Sequence, residues 1–336
     1  DIDFTMRMLP TIDKLHAYIG KAEMKNGVID TGKHTVDAHT LAVDSADVRY
    51  YTLSERDAEI YSQLHPLPPD TINNPNDTVT WVVRGDSIRL SKSHIIYAQR
   101  SVMPSAGLDP NYIELSNVNV QLRNLYNRAS TVTVDVDHIS GKERCGLEIE
   151  QANGSIYVDE NKIDVNKFRL KTFLSEFYVD AHAPFTLLND KPTGNFVIDT
   201  DNRIALQELG LLHPALKATL RQIPQYNPLA LKGKVQGTPE HLDIKSFKAT
   251  IPKYLDATAS GVVNHPLDMK RLNGNIAFDA KFPNLNFVKP LALDAATSKQ
   301  VNFPPMTVKG DAKFGGNSYS GSLDMRLEGG SLVGKG

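Results

Sequence analysis

A chain of 336 residues is long enough for one large domain or two to three ordinary ones, and its 40% hydrophobic and 23% charged residues are ordinary for a foldable protein. A formal net charge of −2, from 37 basic and 39 acidic residues with no charge run, argues against the basic face of a nucleic-acid binder. One cysteine, Cys145, allows no intrachain disulfide, and no run of about 18 apolar residues offers a membrane span.

In chain order, the opening DIDFTMRML has neither initiator Met nor signal peptide, so the chain reads as a piece of a longer protein. IDKLHAYIGKA (12–22) places Ile12, Leu15, Ile19 and Ala22 on one stripe and predicts a helix. VDAHTLAV (36–43) alternates, slips by one residue, then alternates again: Val36 and Ala38, then Leu41 and Val43. SERDAEIYSQL (54–64) predicts a helix with Ser54 as N-cap and Asp57 at the capping-box position. HPLPPDTINNPNDTVT (65–80) is a loop or linker by its Pro, Asn and Asp content.

The slip then returns. Ile88, Leu90, Ser93 and Ile95 carry it with Ser93 as a weak member; Ile113, Leu115, Val118 and Val120 carry it in IELSNVNV. Ile163, Val165, Phe168 and Leu170 carry it in IDVNKFRL, and Leu242, Ile244, Phe247 and Ala249 in LDIKSFKA. The starts at 36, 88, 113, 163 and 242 lie near multiples of a 25–26-residue unit, which suggests a degenerate repeat of two strands and two turns. One added residue moves later side chains to the other face. Either a β-bulge absorbs it and keeps both apolar pairs on one face, or a strand ends there, turns tightly and a new strand begins.

A second element starts with glycine: GSIYVD (154–159), GNFVID (194–199), GKVQG (233–237), GNIAFDAKF (274–282), GDAKF (310–314) and GSLDMR (321–326). Glycine at a strand entry predicts a tight turn there. In TVTVDVDH, Val132, Val134 and Val136 face one way and Thr131, Thr133, Asp135 and Asp137 the other, as in an antiparallel sheet with one wet face. From 203 to 223, Leu206, Leu209, Leu212, Leu216, Leu220 and Ile223 follow helical spacing, with Gly210 and Pro214 splitting the run into two short helices. Further breaks are expected at 184–194 and 224–230.

Signals of catalysis or metal binding are missing. The ten histidines form neither HExxH nor a zinc pattern with Cys145, and His34 and His39 fall on opposite faces of a strand-like stretch. DTDNR (199–203) starts like a calcium loop, but the twelfth position is Gly210 rather than Glu. Asp135 and Asp137 are either a carboxylate pair or two solvated acids. Cys145, beside Arg144, is either an acidic thiol or a small half-buried residue. Trp81 reads as a strand residue. GxSxG and P-loop patterns do not occur. The expectation is a non-enzyme with no metal and no cofactor.

A long meander must bury its apolar face against a second sheet, by closure, or by curling into a trough. A trough left to water costs roughly 25 cal/mol per Å² of apolar lining, and an acyl chain would cover it. The run LYNRASTVTVDVDHISGKERCGLEIEQANGSIYVDENKIDVNKFRLKTFLSEF (125–177) resembles the repeating segment of TamB-type proteins of Bacteroidota, above all in ISGKERCGLEI and FRLKTFLSEF. LNGNIAFDAKF (272–282) and MTVKGDAKF (306–314) are similar to AsmA-like and TamB repeats. The resemblance covers 86–336, and 1–85 by pattern alone.

The resemblance implies an elongated, curled antiparallel β-sheet forming an apolar β-groove with a few short helices. It implies a periplasmic protein, anchored in the inner membrane through a segment absent from this chain. Such a protein carries phospholipid toward the outer membrane and meets an Omp85-class barrel through regions outside the fragment. The expected divisions are an N-terminal part (1–85), groove repeats (86–200), a short helical insertion (201–230) and further groove repeats (231–336). The expected lining is Ile113, Leu115, Val118, Val120, Ile163, Val165, Phe168, Leu170, Leu242, Ile244 and Phe247. The alternative is a structural or adhesive array of closed β-sandwiches that holds no lipid, with these residues as its core. A carbohydrate-active β-protein would want more exposed aromatics than 7% supplies.

Overall fold

The computed structural model describes residues 2–8, 13–65, 80–100, 103–189, 191–220, 227–285, 289, 302–315, 318–327 and 329–336. The protein is mainly β, and among the described residues seventeen strands belong to one sheet. Two compact units divide the chain. The first is Asp1–Tyr157 with Lys171–Phe173 and Leu211–Pro214; the second is Val158–Leu170, Leu174–Gly210 and Ala215–Gly336.

The first unit holds β1 (Ile2–Met8), β2 (Asp13–Asp30), β3 (Thr35–Thr52), β4 (Val82–Gln99), β5 (Tyr112–Arg128), β6 (Thr131–Glu143) and most of β7 (Glu148–Val158). β1 to β6 pair in chain order, antiparallel except for β3 and β4, which are parallel. A parallel pair needs a long crossover, and residues 53–81 supply it. Within that crossover lies α1 (Glu55–Leu64), where Ser54 accepts the Asp57 N–H at 3.2 Å. The Asp57 carboxylate accepts from the Ser54 hydroxyl at 2.8 Å, closing the predicted cap. Most of the predicted loop, 66–79, lies outside the described residues.

Most of β8 (Lys162–Thr172) lies in the second unit, with β9 (Glu176–Pro184), β10 (Phe196–Ile204), β11 (Leu229–Thr238), β12 (His241–Ile251) and β13 (Leu255–Asn264). β14 (Asn273–Phe282), β15 (Met306–Gly315), β16 (Ser318–Leu327) and β17 (Gly330–Lys335) complete it, and β9 to β17 pair antiparallel in chain order. The expected break after Pro184 is one 3-10 turn, Phe185–Leu188. Between β10 and β11 come α2 (Leu206–Leu212), a turn at Pro214–Leu216 and α3 (Lys217–Leu220). Pro214 divides the helical run as expected, whereas Gly210 lies inside α2. Ile223 and 221–226 lie outside the described residues.

Two expectations are corrected. Residues 13–22 are strand, not helix, and Ile12 lies outside the described residues. Most of the recurrent glycines are not strand entries: Gly154, Gly233, Gly310 and Gly321 lie within strands and Gly274 is the second residue of β14. Gly194, with φ 101°, is the one that takes the predicted turn before its strand.

The slips occur inside continuous strands, which selects the bulge over the strand break. In β12 the register shifts between Ile244 and Phe247 against β13. In β4 it shifts on either side of Ser93, and in β5 between Ser116 and Asn119. Lys92, Asn117 and Lys167 take φ near +50° within three of the slips. The copy at 36–43 is different, since β3 keeps constant register with β2 and β4 through it. Its neighbours slip with it: Met24 and Gly27 in β2, Leu41 and Ala38 in β3, and Ile88 and Gly85 in β4 are register partners. A slip shared by adjacent strands needs no register shift.

Candidate functional site

Because side chains alternate along each strand, the pairing register fixes which residues share a face. In the first unit one face carries apolar rows across the strands. Met24, Leu41, Ile88, Leu122 and Val136 form one row, and Ala22, Val43, Leu90, Val120 and Ile139 form the next. Phe4, Ala17, Val48, Ile95 and Leu115 form another. Of the expected lining, Leu115 and Val120 fall in these rows. Ile113 opposes Tyr97 and Val118 opposes Ser93.

Ser93, the weak member of its slip, is 1% exposed. Its hydroxyl accepts the Ala46 N–H at 3.2 Å and donates to the Ser91 carbonyl at 3.0 Å. The slip leaves backbone groups out of the ladder, and a hydroxyl at that point satisfies one of them.

In the second unit the rows alternate large and small. Gly233, Phe247, Ala259, Phe278, Gly310 and Leu323 succeed one another across β11 to β16. The next row is Val235, Ile244, Gly261, Ile276, Ala312 and Gly321, and Leu242 sits in the row beyond, opposite Gly237 and Val263. Some of the in-strand glycines are explained here. A Cβ on Gly233 would lie 2.5 Å from the Phe247 ring, and one on Gly274 would lie 2.9 Å from that of Phe314. Rings lie over neighbouring glycines, covering backbone that glycine leaves bare. Phe278, Ala312, Phe314, Tyr319, Gly321 and Leu323 line a trough of about 530 Å³ on this face. On β8, Ile163, Val165, Phe168 and Leu170 are half-buried across the slip at Lys167.

These rows are not a closed core. Among the described residues, half of the buried apolar side chains are alanine, and the largest fully buried side chains are Ser93 and Ser175. Of the eleven expected lining residues Val118 is buried and the others are half-buried.

The opposite face is laced with ion pairs. Arg123 pairs with Asp137, and Asp135 accepts from Asn124 at 2.7 Å and Ser155 at 2.6 Å. These bonds hold both carboxyls below the ordinary range, so the two acids are separately satisfied. Asp47 binds Arg49 at 2.7 Å and His94 at 3.3 Å; Asp164 binds Lys162 at 2.7 Å and His182 at 3.0 Å. Both are lowered, chiefly by the Arg49 and Lys162 hydrogen bonds. Ile96 and Ala98 form a small buried apolar patch amid this polar face.

Cys145 is half-buried, and burial with the nearby Glu143 pushes its thiol up, which removes the acidic-thiol reading. Among the described residues no cluster could hold a metal ion. His34 meets Trp81 edge-on at 5.4 Å, and Trp81 sits one residue before β4. His39 bonds Asp86 at 2.7 Å.

Sequence reasoning missed Glu143, a buried acid opposite Leu115 at the end of an apolar row. One oxygen accepts the Cys145 N–H and the other has no hydrogen-bond partner among the described residues. It missed Glu208 as well, which is buried at the start of α2 and accepts from the Leu174 N–H at 3.0 Å and from the Ser175 hydroxyl. Neither lies in a pattern that periodicity reveals. No family model, curated protein or solved structure matches the chain.

Proposed function

We propose that this chain is a section of an AsmA-like or TamB-type lipid-transfer protein that shields phospholipid acyl chains on its apolar sheet face. The protein would work in the periplasm, anchored to the inner membrane and meeting an Omp85-class barrel through regions beyond this section. The observation that carries the reading is the set of apolar rows that cross many strands with most of their members half-buried or exposed, Ala17, Val136 and Gly233 being the buried ones. Water left on such a face costs roughly 25 cal/mol per Å², and an acyl chain lying along the rows removes that cost without needing any polar contact. The ion-paired opposite face keeps the sheet compatible with water. The resemblance of 125–177 to TamB repeats supports the same reading.

The test is lipid retention by Phe168→Asp and Ile244→Asp, with Lys281→Gln on the opposite face as control. A charge in the apolar lining opposes an acyl chain, so the first two variants should purify folded with several-fold less phospholipid. Unchanged phospholipid in folded variants would reject the reading.

A further inference from the structure

On the acyl-chain reading above, on which this step rests, we infer that Asp13 with the rings of Tyr50 and Tyr97 is a subsite for a primary ammonium group. That group is the head of a lipid whose chains lie on the apolar face of the first unit.

The site follows from how that face ends. The row of Ala17, Val48, Ile95 and Leu115 is aliphatic. Two residues further along each strand, Leu15, Tyr50, Tyr97 and Ile113 are register partners on the same face. Two residues further again come Asp13, Thr52 and Gln99, the last two paired across β3 and β4. Apolar, then amphipathic, then polar is the order of a lipid from chain to head. Tyrosine suits the middle place because its ring is apolar and its hydroxyl polar. The other end of the face has no such closure, since it finishes on Ile29, Val36 and Val83.

Tyr50 and Tyr97 stack with ring centroids 6.2 Å apart and planes 26° from parallel. The Tyr50 hydroxyl donates to one Asp13 oxygen at 2.7 Å, which holds the carboxylate beside the rings. Among the described residues Asp13 has that hydroxyl as its side-chain partner and no cation. Acids of the opposite face differ, since Asp37, Asp47 and Asp137 each hold an arginine. The Thr52 hydroxyl oxygen is buried with no hydrogen-bond partner among the described residues. A primary ammonium supplies what these groups lack: a counter-charge for Asp13, an N–H for Thr52 and a cation for the electron-rich ring faces. A quaternary ammonium has no N–H to give, and an anionic head brings a like charge to Asp13.

The test uses the whole chain, stripped of lipid and equilibrated with vesicles of equal phosphatidylethanolamine and phosphatidylglycerol bearing the same acyl chains. Bound lipid is recovered and counted by mass spectrometry. The parent chain should carry at least about threefold more phosphatidylethanolamine. Asp13→Asn and Tyr97→Leu should bring the ratio near one while total phospholipid stays within about twofold, and Tyr97→Phe, which keeps a ring, should retain the preference. An equal ratio in the parent, or an unchanged ratio in both folded variants, would overturn the subsite and leave the acyl-chain reading standing. A folded parent with no phospholipid of either kind would overturn both. Excess free ethanolamine that abolishes the preference without displacing lipid would give the subsite to a soluble amine and overturn the lipid source.

Discussion

Phe247 on β12 lies directly across from Gly233 on β11, and its ring fills the space that a side chain at 233 would need. A Cβ there would sit 2.5 Å from the ring and 2.8 Å from the Ser246 carbonyl oxygen. Gly233→Val must therefore move the ring and the backbone behind it. The expected loss is about 1–3 kcal/mol, as for other overpacked sites, read by urea denaturation. Unchanged stability would mean that the ring does not rest on this glycine.

Ser93 tests the slip itself. Its hydroxyl takes the Ala46 N–H at 3.2 Å inside the sheet. Pattern alone says that an apolar residue improves this position, whereas the structure says the reverse. Ser93→Ala leaves a buried N–H unmet, at a cost of about 1–3 kcal/mol. The midpoint of thermal unfolding decides between them, and a midpoint that rises would refute the hydrogen-bond account.

Glu208 fixes α2 to the β8–β9 turn through the Leu174 N–H and the Ser175 hydroxyl, and the Ala205 N–H in turn donates to Ser175 at 2.9 Å. Glu208→Ala should free this turn and helix together, seen as faster proteolysis and faster amide exchange at 173–175 and 205–212 than elsewhere. Glu208→Gln, which keeps an acceptor, should lie between that variant and the parent chain.

Much of the architecture was legible. The slipped alternation announced strands with one apolar side while leaving a bulge and a strand break both open, the Ser54 cap announced α1, and Pro214 announced the broken helical stretch. The misread helix at 12–22 has a physical origin. Leu15, Ala17, Ile19 and Ala22 lie on one face of β2 because of a slip, and their 2-2-3 spacing imitates a helical stripe once Ala17 is overlooked. Gly233 and Gly274 were read as turns because a glycine that makes room for a ring across the sheet leaves no local mark. The parallel β3–β4 pair was likewise invisible, since antiparallel and parallel strands share a period of two. Ser93 and Glu208 act through backbone groups distant in sequence, which no spacing rule reports.

Acid should weaken the fold through the polar face. Asp47 and Asp164 are held below the ordinary carboxylate range, mainly by Arg49 and Lys162. A lowered folded pKa means a contribution that is full above the unfolded value, near pH 4, and is lost as pH falls through the folded value. Stability should therefore stay level from these groups between about pH 7 and 5 and fall below about 4. Asp164→Asn should flatten part of that fall, and an unaltered acid limb would show that the pair does not contribute.

The most direct test of the lipid-shielding reading is mass spectrometry of lipids extracted from the gently purified chain, beside a protein of similar size taken through the same steps. Phospholipid in clear excess over that control is the predicted result, and its head groups would name the cargo. A stable, folded chain carrying no more phospholipid than the control would contradict it.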